Sequence, residues 1–418
     1  MSHDDDVGSP RAAAITAAAL ILLGVGIAVA LVPWDAAVAP WATLDFPTAL
    51  DFFTAAQREA ISAYVEAAWL PGLLALIAGP LLALVILLSA RARRSLIAIG
   101  PRDRPVIRDF LAAFLLLLAT RLIALPFDLW LAIVRRDNGL LVEPWSTWLL
   151  RWAGTALVVA LLGGIATTVV LAILRRWPRR GWIGIVTAAA IVAALASAAA
   201  PYLNLVEGTR SDPGVRDRVL AIAAQAGVEV GDVVVIDVAD RSPALNATVS
   251  GWGPTRTVTL YDTLLTTATP AEIDAIVAHE LVHVRDNDVP LGTALAAIGT
   301  AAVVSLALAL AMAPGVRRRL DVRGRSDSGL VALLIGVLMI GSLVSVPVSS
   351  TISRAIEARA DREALAITGD AQSYDDLMVL LATTNKSTLQ PPQWRYALLF
   401  THPTPLQRLA AVASTPTS

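Results

Sequence analysis

The stretch AEIDAIVAHELVHVRDND, Ala271 to Asp288, decides how the chain reads. It contains His279-Glu280-Leu281-Val282-His283, an H-E-x-x-H sequence. On a helix, residues four apart lie one turn above each other. His279 and His283 therefore project from one face and can bind one zinc ion through their imidazole nitrogens. Glu280 lies beside the metal without ligating it, where it can act as general base towards the attacking water.

The flanking residues predict a helix independently. Thr269 precedes it, Pro270 suits the first helical position, and Glu272 lies three residues after Thr269, which together make a capping box. Ile273, Ile276, Val277, Leu281 and Val284 form an apolar stripe at helical spacing. Two of the chain's four histidines fall in this one segment, which argues against a chance match to a short motif.

The 418 residues are 56% hydrophobic and 16% charged, with a mean hydropathy of +0.66. Soluble domains are more polar than this, so the composition points to a membrane protein whose partner is the lipid bilayer. The net charge of −1 gives no bulk argument for nucleic acid. With no cysteine, disulfides and thiolate metal sites are excluded. Lys386 is the single lysine, so the basic residues are otherwise arginine.

Apolar runs of about the 20 residues needed to cross hydrocarbon predict seven spans, near residues 12–32, 65–90, 107–134, 152–174, 182–205, 290–314 and 329–347. The fold class expected is a predominantly α-helical polytopic membrane protein with a small α+β metalloprotease domain. Its parts are residues 1–205, five spans; 206–288, the first part of the peptidase domain; 289–350, spans six and seven; and 351–418, the second part. Residues 34–64, with Trp34, Trp41, Phe46, Phe52 and Phe53, read as an aromatic belt at the headgroups, or else as an interfacial loop or lid. Arg121 and Asp128 lie within the third span, flanking Pro126. They either pair with each other or line an aqueous chamber.

Within residues 206–288 the sequence predicts a helix at 215–226 and a strand at 233–238. A hairpin follows from 246–250 and 256–260, around Gly251-Trp252-Gly253-Pro254. The metal helix comes next.

A catalytic zinc takes three protein ligands and leaves one position open. Spans six and seven are joined by a short loop and run antiparallel, so the chain after span seven returns to the face that carries His279 and His283. Glu357 is the best-placed carboxylate there. Asp361, one turn on, can accept from the far N–H of a ligand histidine. Asp361 and Glu363 remain alternatives for the ligand itself.

These residues resemble a family. HELVH followed by S-R-x-x-E-x-x-x-D, Ser353 to Asp361, is similar to the integral-membrane zinc peptidases that include the type 1 CAAX prenyl protease and the bacterial HtpX-like quality-control proteases. Two further stretches agree: Asn246-Ala247-x-x-x-Gly251 before Tyr261-Asp262-Thr263-Leu264-Leu265, and Thr401-His402-Pro403 with Arg408. Thr404 departs from the family's second proline. The seven spans resemble the prenyl protease branch more than the shorter HtpX branch.

The resemblance implies one zinc ion held by His279, His283 and Glu357, Glu280 as base and Asp361 behind a ligand. It implies that Asn246, Ala247 and Gly251 belong to a strand pairing with extended substrate, with His402 and Arg408 near the oxyanion. It also implies a water-filled chamber among the spans. The expected substrate is a peptide or protein, either free or membrane-anchored. A sensor-transducer protease and a non-catalytic scaffold are the other classes; the first wants an extra ligand domain that the sequence lacks.

Arginines gather after span two (Arg91, Arg93, Arg94, Arg102, Arg104, Arg108), after span four (Arg175, Arg176, Arg179, Arg180) and after span six (Arg317 to Arg325). The positive-inside bias puts those loops in the cytoplasm and the zinc domain outside a bacterial cell membrane. The family resemblance implies the opposite, a cytosolic zinc domain.

Overall fold

The computed structural model describes residues 9–36, 46–199, 209–251, 253–322 and 328–413. Trp41, Trp252, the last residues assigned to span five and Arg323 to Arg325 lie outside the described residues.

Among the described residues, six helices are long and apolar enough to cross a membrane: Pro10–Leu31, Ala55–Leu88, Pro105–Asp137, Trp145–Arg176, Asp288–Met312 and Gly329–Thr368. A shorter apolar helix spans Gly181–Ala199. Leu22, Leu88 and Leu150 are each at least 70% exposed, the outward apolar surface that hydrocarbon rather than water satisfies. Helix Pro10–Leu31 packs on Asp288–Met312, which also contacts Gly181–Ala199 and Gly329–Thr368. Ala55–Leu88, Pro105–Asp137 and Trp145–Arg176 pack in sequence order. Gly329–Thr368 against Ala55–Leu88, and Gly181–Ala199 against Trp145–Arg176, close the circuit.

Two expectations change. Within residues 34–64, the described part from Phe46 onwards is not simply a headgroup belt. Thr54 and Gln57 form a capping box that starts the second long helix at Ala55, ten residues early. Phe53, 2% exposed, and Ala49 pack into the core that also holds Val258, Leu260 and Leu281. The helix that carries the seventh span does not end at 347 either. It continues unbroken through Pro347 and Glu357 to Thr368 as one 40-residue helix, stopping where Gly369 adopts φ +64.

Arg121 and Asp128 lie 3.5 Å apart, and Trp152 Nε1 donates to Asp128 Oδ2 at 2.9 Å. Of the two readings of these charges, the geometry matches a mutual ion pair within helix Pro105–Asp137, which Trp152 ties to helix Trp145–Arg176. At one end of the bundle the arginine-rich loops meet. Arg93 donates to the Leu320 carbonyl at 3.0 Å, and Arg175 pairs with buried Asp109, which accepts from Ser328 Oγ at 2.6 Å.

At the other end lies a four-stranded sheet of β1 (Thr209–Arg210), β2 (Asp232–Ile236), β3 (Ala247–Ser250) and β4 (Thr257–Tyr261), in the order β1-β2-β4-β3. β2 runs parallel to β4, while β3 and β4 make the antiparallel hairpin. Gly251 turns that hairpin at φ +91, and a Cβ there would strike the Thr255 carbonyl. The core under the sheet includes Val258, Leu260, Leu264, Leu281, Leu377 and Leu406. Asp262 accepts from Val238 N–H at 2.9 Å, and the Thr263 hydroxyl donates to the Ala244 carbonyl at 2.7 Å. The D-T-L-L stretch thus fastens the approach to β3.

Candidate metal centre and active site

The H-E-x-x-H helix runs Pro270–Arg285, with the predicted Thr269/Glu272 capping box in place. It is shorter than the predicted 271–288. Asn287 takes a left-handed conformation, φ 60, and breaks it before Asp288 opens the next helix. The fully buried Leu281 and Val282 anchor the helix on the core, leaving the two histidines to face Gly329–Thr368.

His279, His283 and Glu357 offer donor atoms all within 4.8 Å of one another. The two Nε2 atoms are 3.2 Å apart. Glu357 Oε2 is 3.1 Å from His279 Nε2, and Oε1 is 3.6 Å from His283 Nε2. A tetrahedral zinc with bonds near 2.0–2.1 Å separates its ligand atoms by about 3.3 Å. The donor set and its spacing therefore fit zinc.

Both rings are held from behind. His279 Nδ1 lies 3.0 Å from Asp361 Oδ1, and His283 Nδ1 hydrogen-bonds Asp288 Oδ2 at 2.9 Å. Each pairing orients a ring so that Nε2 faces the centre. Burial alone would lower the His279 pKa, but the Asp361 and Glu357 carboxylates outweigh it and raise it to about 10. A buried, carboxylate-rich site of this kind calls for a cation.

A wider ionic lattice backs these carboxylates. Arg408 Nε donates to Asp361 Oδ2 at 2.9 Å, and its Nη2 makes a second, shorter contact to the same carboxylate. Arg359 Nη2 donates to Asp288 Oδ1 at 2.5 Å, and its Nε lies 3.0 Å from Asp286. Glu363 pairs with Arg285 at 3.3 Å, away from the histidines, and is not among the three convergent donors.

Glu280 lines a cleft of about 480 Å³ together with Asn246, His279, Tyr374, His402 and Arg408. Among the described residues no side chain hydrogen-bonds its carboxylate. Its pKa is raised: burial pushes it up against the pull of His279 and His283. His402 stands at the mouth with its side chain 57% exposed and Nε2 3.4 Å from Glu357 Oε2. Its Nδ1 is 2.9 Å from the Thr401 hydroxyl.

The segment carrying His402 is itself clamped. Arg354, 2% exposed, donates to the carbonyls of Tyr396 at 3.0 Å and Phe400 at 2.6 Å. Thr404, the departure from the family pattern, caps the last helix, Pro405–Ala413. Its hydroxyl accepts from Gln407 N–H at 3.2 Å, while Gln407 Oε1 accepts from Thr404 N–H at 2.8 Å. That helix aims Arg408 at Asp361.

β3 is an edge strand. Tyr261 N–H donates to the Asn246 carbonyl at 3.1 Å. By antiparallel alternation, residues 246, 248 and 250 bond inwards to β4, while Ala247 and Val249 direct their N–H and C=O to the open edge. Asn246 lines the cleft; the Ala247 side chain is buried, and Gly251 serves the turn.

The sequence reasoning missed Asp288, Arg354 and Arg359. Asp288 lies five residues after His283, a spacing that carries no signal unless the helix is known to break at Asn287. The arginines of S-R-x-x-E-A-R were visible, but their partners are distant in the chain.

Membrane-spanning helices joined to a two-histidine, one-carboxylate centre with an unpartnered glutamate beside it define the class, an integral-membrane metallopeptidase architecture. Peptidase family M48 matches residues 209–415, the part of the chain that carries the histidines and Glu357. The uncharacterized metalloprotease YhfN of Bacillus subtilis is 26% identical over 47% of this chain, and the match covers 46% of that protein's length. A protease HtpX homologue of Streptococcus equi subsp. equi is 26% identical over 47% of this chain and 66% of its own length. The chain thus spans less than two thirds of either relative. The crystal structure of S. mikatae Ste24p superposes with a TM-score of 0.75 at 18% identity, covering 96% of this chain and 98% of that one. The fold is shared across the membrane helices as well as the peptidase domain.

Proposed function

We propose that the chain is a membrane-embedded, zinc-dependent endopeptidase acting on membrane-associated proteins or peptides. The observation that carries this is the convergence of His279, His283 and Glu357 beside Glu280, which lines the cleft and has no hydrogen-bond partner among the described residues.

His279, His283 and Glu357 would hold the ion, with Asp361 and Asp288 keeping the two imidazoles in their ligating orientation. Zinc bound there supplies Lewis acidity towards the scissile carbonyl and lowers the pKa of water. The substrate backbone pairs with Ala247 and Val249, so recognition rests on main chain more than side chain. Glu280 takes the proton from the attacking water and passes it to the leaving amine. His402 with its proton on Nε2, a tautomer the Thr401 hydroxyl favours by donating to Nδ1, donates to the developing oxyanion. Arg408 spends two donors on Asp361, so its part is to hold Asp361 and, through it, His279.

The test compares proteins cleaved in membranes carrying wild type and Glu280→Gln, with zinc content measured on both. Equal zinc with cleavage lost supports the reading; cleavage that survives the substitution ends it. The arginine-rich end of the bundle favours an extracytoplasmic zinc domain by the positive-inside bias. A reporter fused after Ser418 that is active only outside the cytoplasm is the expected result.

A further inference from the structure

Past the first residue of β3, the open edge is already occupied by a side chain. Asn385 Oδ1 accepts from Leu245 N–H at 3.0 Å, and its Nδ2 donates to the Leu245 carbonyl at 3.2 Å. Leu245 has the same outward parity as Ala247 and Val249. One acceptor and one donor presented together are what a residue of a neighbouring strand would offer. The carboxamide therefore stands in for a backbone residue in the slot immediately beyond Ala247. Leu245, Asn246 and Asn385 all line the cleft that holds His279 and Glu280, so this slot lies at the metal end of the edge.

The turn bearing Asn385 is fixed. Asn385 ends helix Ala371–Thr384, and Ser387 N–H donates back to the Ala382 carbonyl at 2.9 Å, the closing bond of a Schellman turn. Lys386 takes the left-handed position, φ +49, usually given to glycine. Its Nζ donates to Asn138 Oδ1 at 2.9 Å, on the loop after helix Pro105–Asp137. A bidentate carboxamide on a tethered turn leaves little room for the substrate to displace it.

We propose that Asn385 is a register stop, a specificity-determining residue that ends the backbone lane at Ala247 and limits how far a peptide extends past the metal centre on that side. This rests on the edge-pairing reading of β3 given above. A peptide longer than the lane must leave the sheet plane and forfeits the next pair of main-chain hydrogen bonds.

The full-length protein is assayed with peptides carrying one cleavable bond, lengthened a residue at a time on either side, with products mapped by mass spectrometry. Wild type should show a step in kcat/KM at a fixed length on one side only. Asn385→Ala frees the N–H and C=O of Leu245, so the step should move outwards by about two residues, the strand period, with about tenfold gains for peptides just over the limit. Asn385→Asp keeps the size, loses the donor and should relax the limit less. An unchanged length profile in both variants, with zinc content and thermal stability retained, overturns the stop. Peptides N-methylated at the positions that pair with Ala247 and Val249 separate the two readings. If methylation slows cleavage while the length profile stays fixed, only the stop falls. If methylation has no effect, the edge pairing falls and the stop with it.

Discussion

As the proposed base, Glu280 must work in its ionised form, because only the carboxylate can accept a proton. Its pKa is raised above the usual glutamate value, first by burial. Activity must therefore fall as pH drops through that raised value, and the acid limb of kcat/KM should lie above pH ~4.5, the ordinary glutamate range. A limb at or below that range in a steady-state pH profile would remove Glu280 as the base. His279 makes a second titration prediction. Its pKa near 10 means that the ring carries a proton at pH 7 which bound zinc must displace. Zinc binding should release a proton at neutral pH and tighten as pH rises, seen by calorimetry in buffers of different ionisation enthalpy. Behind the ligands, Asp288→Asn should weaken zinc binding by roughly 10–100-fold, the usual effect of losing a carboxylate that orients a ligand histidine. A competition titration with a chromogenic chelator measures it; unchanged affinity would mean that His283 is held by packing alone.

At the scale of elements, the helix carrying the histidines depends on its buried face. Leu281 is fully buried between the two ligand turns, so Leu281→Ala should cost about 2–5 kcal/mol and lower the melting temperature in detergent. Thr404→Ala removes only a helix cap and should cost about 1 kcal/mol, a far smaller shift in the same measurement. The difference in legibility follows the same physics. The H-E-x-x-H helix was readable because its cap, its first-position proline and its apolar stripe all lie within one local window. Glu357 was reachable through chain topology, since two antiparallel spans must return to one face. The break at Asn287 was not readable: a non-glycine residue in the left-handed region follows from the packing of two helices, not from its neighbours in sequence. Asp288 was lost with it. Arg354 and Asn385 act on partners 42 and 140 residues away, and no periodicity records such pairings.

For the molecule as a whole, helix Gly329–Thr368 is the member that both enters the apolar bundle and carries Glu357 to the histidines. The 55–88 helix likewise begins beside the protease core, where Phe53 and Ile61 are buried, before it enters the bundle. Sequence segmentation drew a boundary between spans and protease parts, and hydropathy does change there. The backbone does not, because nothing in the Ser349–Ile356 region breaks a helix. At 1.5 Å per residue the 40-residue helix is a rod about 60 Å long, twice the hydrocarbon thickness of about 30 Å. One end answers to acyl-chain length and the other to a donor oxygen. A rod so shared converts tilt into displacement: thicker or thinner bilayers change how steeply it leans, and the Glu357 carboxylate swings with it. Turnover of a soluble peptide should then vary across vesicles of graded chain length at constant headgroup, making the lipid a setting of the enzyme and not merely its container.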